Sequence, residues 1–144
     1  MRKTTILLGI LIILTLLCGC KDTTAVEYDK TRINNILYNI ERAFNDHDID
    51  ALMSYYHVDF LHKGQSRWAI REVWLNRMGE YLLIDFQNIS ISVHDDNAVV
   101  SFTMKLIKQN ETVFSDEPDA HGDASYFFYD NYDWRVYGNQ LYSR

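Results

Sequence analysis

The sequence predicts an α+β fold: three N-terminal helices packed on one face of a curved antiparallel sheet. Three observations carry this. Apolar residues recur at three- and four-residue spacing through the first half of the chain. After Gly79 the period changes to strict alternation. Within that alternation the phase slips by one near Gln87-Asn88, as a β-bulge in a bent strand would require. Helices first and strands afterwards is the order of a segregated α+β domain.

The chain does not begin with that domain. Arg2 and Lys3 form a short positive segment, and Ile6 to Leu17 is an apolar run interrupted only by Gly9 and Thr15. A helix needs about 20 apolar residues to span a bilayer, so this run suits the core of a secretory signal peptide. It ends at Leu17-Cys18-Gly19-Cys20, which resembles the lipobox of bacterial lipoproteins. That resemblance implies a signal peptide over residues 1–19 and acylation of Cys20, for instance by palmitate. The partner is then the lipid bilayer, and the location is the cell envelope. Lys21 in place of aspartate implies the outer membrane in a Gram-negative cell. Residues 20–26 are expected to be a lipidated tether and 27–144 the domain.

Processing changes the composition. Removing the first 19 of 144 residues leaves 125 and takes Arg2 and Lys3, moving the formal net charge from −6 to −8. Cys18 leaves and Cys20 is consumed, so no thiol remains for a disulfide, a nucleophile or a metal. The acidic balance excludes nucleic acid as a default partner, because phosphate neutralisation needs a basic excess. The apolar fraction of 47% excludes intrinsic disorder.

The elements follow in order. Ile33, Ile36, Leu37, Ile40 and Phe44 define the first helix, with Thr24 and Glu27 as a capping box, Asp29 as a second candidate cap, and a stop at Asn45-Asp46-His47. Asp48 caps a second, shorter helix carrying Ile49, Leu52, Met53 and Tyr56. Val58 to His62 is expected to be a short strand ending at Gly64. Ser66 opens a third helix with Ile70, Val73, Trp74 and Met78 on one face, ending at Gly79. Ile84 and Phe86, then Ile89, Ile91 and Val93, form the first long strand. His94 to Asn97 is a turn, and Ala98 to Leu106 alternates as the next strand. Asn110 to Gly122, polar and acidic, is expected to be a loop. Asp123 to Tyr129 and Asp133 to Gln140 form a closing hairpin around Asp130-Asn131. The strand at 123–129 is apolar on both faces, with Tyr126 and Phe128 on the second. That predicts a cover, and a second subunit in a homodimer is the simplest one.

The segments Phe44 to Leu52, Tyr56 to Gly64, Ala69 to Glu72 and Trp134 to Gln140 resemble the nuclear transport factor 2-like superfamily, particularly its SnoaL-like and ketosteroid-isomerase-like members. The resemblance runs from about Thr31 to Gln140. It implies a cone with a pocket at its open end. Members isomerise steroids, cyclise polyketides, dehydrate small substrates or bind proteins. The ketosteroid isomerase set consists of a helix-one tyrosine, a carboxylate base on the first strand and a protonated aspartate on a late strand. Those positions fall on Ile40, on His62 or Lys63, and on Ser125 with Asp123 two residues earlier. The set is missing, so the reading favours a binding module for a small apolar ligand or another envelope protein. The alternative is a cofactor-independent isomerase, cyclase or dehydratase using His62 and Asp123 as an acid–base pair.

Tyr56, Trp68, Trp74, Ser125 and Phe127 are the expected pocket-lining residues, although aromatics at helical spacing, Tyr55 included, also suit a core. His57, Asp59 and His62 look like a metal cluster, but strand parity puts His62 on the opposite face. Asp116, Glu117, Asp119, His121 and Asp123 crowd one loop without calcium-site spacing. No metal or cofactor is expected.

Overall fold

The structure, a computed structural model, describes residues 22–141. The expected signal peptide, Cys20 and Lys21 lie outside the described residues. Among the described residues, no helix is long and apolar enough to cross a membrane.

Helix α1 spans Thr23–Asn45 and buries Ile33, Ile36, Leu37, Ile40 and Phe44 on one face, as the period requires. Its N-cap is Asp22, whose carboxylate accepts from the Thr24 amide. The caps expected at Thr24 and Asp29 are therefore inside the helix, and residues 23–26 are helical rather than tether. Glu27 pairs with Lys30 one turn on, at 2.8 Å, instead of closing a capping box. Asp29 is buried and accepts from the Trp134 indole N–H at 2.9 Å. Helix α2, Ile49–Met53, is capped by Asp48 as expected, and Tyr56 lies beyond its end.

The expected strand over Val58 to His62 shrinks to β1, Leu61–His62, which pairs with β2, Gln65–Ser66. The turn between them, Lys63-Gly64, has both φ angles positive, at 48° and 81°, as tight hairpins demand. Helix α3, Arg67–Glu80, starts on the Ser66 cap and buries Ile70, Trp74 and Met78.

The long hairpin of β3, Leu83–His94, and β4, Asn97–Ile107, carries the predicted register slip between Gln87 and Ser90. Asn88, at φ 55°, is the residue that absorbs it. The expected loop over Asn110 to Gly122 is only partly a loop. Thr112–Glu117 forms β5, paired antiparallel to β4. Its inward positions after Val113 are Ser115 and Glu117, so no apolar alternation announced it. The closing hairpin is shorter than expected: β6 is Tyr126–Tyr129 and β7 is Trp134–Val136. Residues 123–125 form a turn. Beyond β7 the chain runs as a strap beside β1, with Leu61 N–H donating to Tyr137 O, Gln140 N–H to Leu61 O, and Gly64 N–H to Leu141 O.

Strand β4 is the hub of the sheet. It carries β3 along one edge, and on the other it shares its length between β5 and β6. The helices pack on the inner face, against Ile84, Phe86, Val100, Phe102, Met104, Phe127, Trp134 and Val136. The result is the cone that the resemblance implied, a bent sheet wrapped around helices. The second apolar face of β6 is covered by this chain itself. Tyr126 stacks on His62 at 5.5 Å, and Phe128 lies 5.0 Å from Tyr137 and edge-on to His57.

Candidate functional site

A cleft of about 310 Å³ opens beside the core, lined by His62, Lys63, Gln65, Val73, Arg77, Ala120, His121 and Asp123. Three segments build it: the β1–β2 hairpin, the second half of α3, and the stretch between β5 and β6. That stretch is shaped by one carboxylate. Glu117, the last residue of β5, is buried and accepts from the His121 and Gly122 amides and from the Ser115 hydroxyl. A buried carboxylate needs such donors, and here they fold the loop around it. The loop then presents the His121 carbonyl to the hairpin.

His62 is 1% exposed and bonded to backbone at both ring nitrogens. Its Nε2 donates to the His121 carbonyl at 2.7 Å, and its Nδ1 accepts from the Asn139 amide at 3.3 Å. Lys63 Nζ shares the same carbonyl at 3.0 Å. Two glycines allow this enclosure. A Cβ on Gly122 would lie 3.0 Å from His62 Cε1, and one on Gly138 would lie 2.2 Å from Leu61 O. Both also have positive φ. Burial holds the His62 pKa below its ordinary range. Lys63 adds to the lowering, while the His121 carbonyl, Asp123 and Glu117 oppose it.

Asp123 does not pair with His62. Its carboxylate forms an ion pair with Arg77 at 2.9 Å, with side chains 5% and 12% exposed respectively. The Arg77 guanidinium lies over the Trp74 ring at 4.7 Å. Beneath the pair, the Tyr56 hydroxyl donates to the Asp123 carbonyl at 3.2 Å and accepts from the Trp74 indole at 2.8 Å. Burial, then the nearby Asp123 charge, pushes the Tyr56 pKa well above its ordinary value, so the phenol stays protonated.

The residues predicted to line a pocket lie elsewhere than in this cleft. Tyr56, Trp74, Ser125 and Phe127 are buried in the core, and Trp68 is 73% exposed on the surface. Ile40 is buried in the same core. Aromatic side chains fill the cone, leaving the charged cleft at its side. Among the described residues, no group of three or more His, Cys, Asp or Glu could hold a metal ion. His57 packs against Phe128 and Tyr137 and accepts from the Asp59 amide, away from His62. The acidic loop residues disperse: Asp116 accepts from Thr103, Glu117 is buried and Asp119 is exposed. Sequence reading missed Arg77. Its signal is a cation three residues after Trp74, on the stripe that also holds Ile70 and Met78.

No protein-family model matches the sequence, and no curated protein matches it either. Solved structures do. An NTF2-like protein of unknown function from Pseudomonas putida KT2440 superposes with TM-score 0.61 at 15% identity, over 81% of this chain and 84% of that one. A proposed scytalone dehydratase from Novosphingobium aromaticivorans gives 0.59 at 14%, over 83% and 85%. Bd1075 of Bdellovibrio bacteriovorus gives 0.60 at 14%, over 78% of this chain, which spans 41% of that longer protein. The chain has the nuclear transport factor 2-like fold. Its fold is compatible with ligand binding and with isomerase or dehydratase chemistry, and function has to be argued from the cleft.

Proposed function

We propose that this chain is a lipid-anchored envelope protein whose domain binds a small ligand without transforming it. One observation carries the non-catalytic reading. The acid–base pair does not form: both His62 ring nitrogens are taken by backbone groups, and Asp123 is ion-paired with Arg77 instead of orienting His62. A histidine acting as general base needs a free ring nitrogen within hydrogen-bond reach of the substrate. The lining also moves the expected ligand from apolar to polar, because the aromatics that would have formed an apolar wall are spent in the core. The anchoring reading rests on the lipobox at Leu17 to Cys20.

The alternative is a cofactor-independent dehydratase, isomerase or cyclase. It draws support from His62 and Asp123 lining one cleft, and from the dehydratase proposed among the structural neighbours. It requires both residues to leave their present partners.

Native mass spectrometry of the protein taken from its own cell envelope tests the binding reading. The expected spectrum shows the acylated chain with a retained small molecule. Only bare chain mass would count against it. Cys20→Ala should abolish acylation and release the domain from membranes. Continued cofractionation with lipid would overturn the anchoring reading.

A further inference from the structure

The Arg77–Asp123 ion pair closes at a single contact where two such groups can meet through two. Arg77 Nη2 meets Asp123 Oδ2, while Arg77 Nη1 and Asp123 Oδ1 are both closed off from solvent without a hydrogen-bond partner. Ser125 Oγ, two residues along, is in the same condition. Among the described residues one other buried side-chain atom lacks a partner, Arg67 Nε, which belongs to the start of α3 and not to this cleft. Two of the four therefore belong to residues of the cleft wall, Arg77 and Asp123.

Unmade buried hydrogen bonds are expensive, and an incompletely paired buried ion pair more so. What remains open at the pair is one donor and one acceptor, with the charges already balanced. A plain anion fits poorly, because Asp123 repels it and Arg77 is already neutralised. A cation fits poorly for the mirror reason. A hydroxyl group satisfies both sides, lending a lone pair to Arg77 and a proton to Asp123. Val73 and Ala120 offer a small apolar wall, and Gln65, Lys63 and His121 a polar rim. A volume of about 310 Å³ is at the lower end for small-molecule sites.

We propose, resting on the binding reading above, that this cleft takes a neutral polyhydroxylated molecule of monosaccharide size. One hydroxyl bridges Arg77 Nη1 and Asp123 Oδ1. Arg77, the more exposed partner, turns toward the cleft to admit it, which lifts the guanidinium from the Trp74 ring.

The test uses the chain isolated with its lipid and held in nanodiscs. Methyl α-D-glucopyranoside and mannitol are titrated as neutral probes and benzoate as an anionic one, followed by ligand-observed NMR and tryptophan emission. The expected result is a saturable response to a neutral probe, weakened tenfold or more by Asp123→Asn and by Arg77→Met. Lys105→Ala, on the outer sheet face, should leave it intact. Gln65→Ala, on the cleft rim, should weaken it several-fold if the charge variants fail to fold. A response unmoved by all three cleft variants overturns the clamp. Benzoate binding without either neutral probe overturns the ligand class and leaves the binding reading standing. No response to any probe overturns the class as well. If native mass spectrometry also finds only bare chain, the binding reading falls with it.

Discussion

His62 illustrates how one buried side chain couples the fold to pH. Its folded pKa is lowered, chiefly by burial, so the unfolded chain takes up a proton first as pH falls. Stability is therefore lost progressively as pH drops from the usual histidine range, about 6.5, down through the lower folded value. The charged ring would also turn an N–H toward the Asn139 amide, where Nδ1 now accepts. Denaturant midpoints between pH 7.5 and pH 5 should fall for the native chain and fall less for His62→Gln. Parallel slopes would mean that another group controls the loss. Gly138 makes a second prediction at this scale. Its φ of 77° and the 2.2 Å approach to Leu61 O leave no room for a side chain. Gly138→Ala should cost roughly 1–3 kcal/mol, from strain and displacement of the strap. An unchanged thermal midpoint would refute that packing.

The elements differ in how they are held, and that decided which of them the sequence revealed. Asp48 and Ser66 cap α2 and α3 through contacts of 2.9 and 3.4 Å, so Asp48→Ala should be the more damaging, at about 1 kcal/mol. Chemical denaturation of both variants would show it, and equal losses would contradict the distances. Both caps were legible because a cap is a local signal, a short polar side chain just before an apolar period. The bulge at Gln87-Asn88 was legible for the same reason. Strand β5 was not, because Ser115 and Glu117 occupy its inward positions. Their burial depends on amides that arrive only when residues 121 and 122 fold back. Arg77 with Asp123, and His62 with Asn139, are likewise meetings between distant segments that no period encodes. Helix α1 was placed well in phase and late in its start, since Asp22 caps it before any apolar residue of the stripe appears.

At the scale of the whole molecule, the two-sided strand β6 was a sound signal with a nearer cause than expected. The β1 hairpin, His57 and Tyr137 cover Tyr126 and Phe128 from within the same chain. A homodimer through the outer sheet face remains our proposal, now resting on Phe114, 61% exposed on β5, and on Leu83 and Val99, exposed on the same face. Sedimentation of the chain from Lys21 onward should give a dimer, and Phe114→Glu should return it to monomer. A monomer at high micromolar concentration before any substitution would end the proposal.

The early start of α1 bears on how such a domain would meet its surroundings. With helix from Thr23, only Lys21 and Asp22 would separate an acylated Cys20 from a rigid rod. Three Cα-to-Cα steps of roughly 3.5 Å make a leash of about 10 Å, shorter than α1 itself at about 1.5 Å per residue. A protein so held cannot sweep the space above its membrane in search of a partner. Anchored in this way it would be a fixture, turning almost in place, and what it binds would have to come to it, by free diffusion or along the same lipid surface.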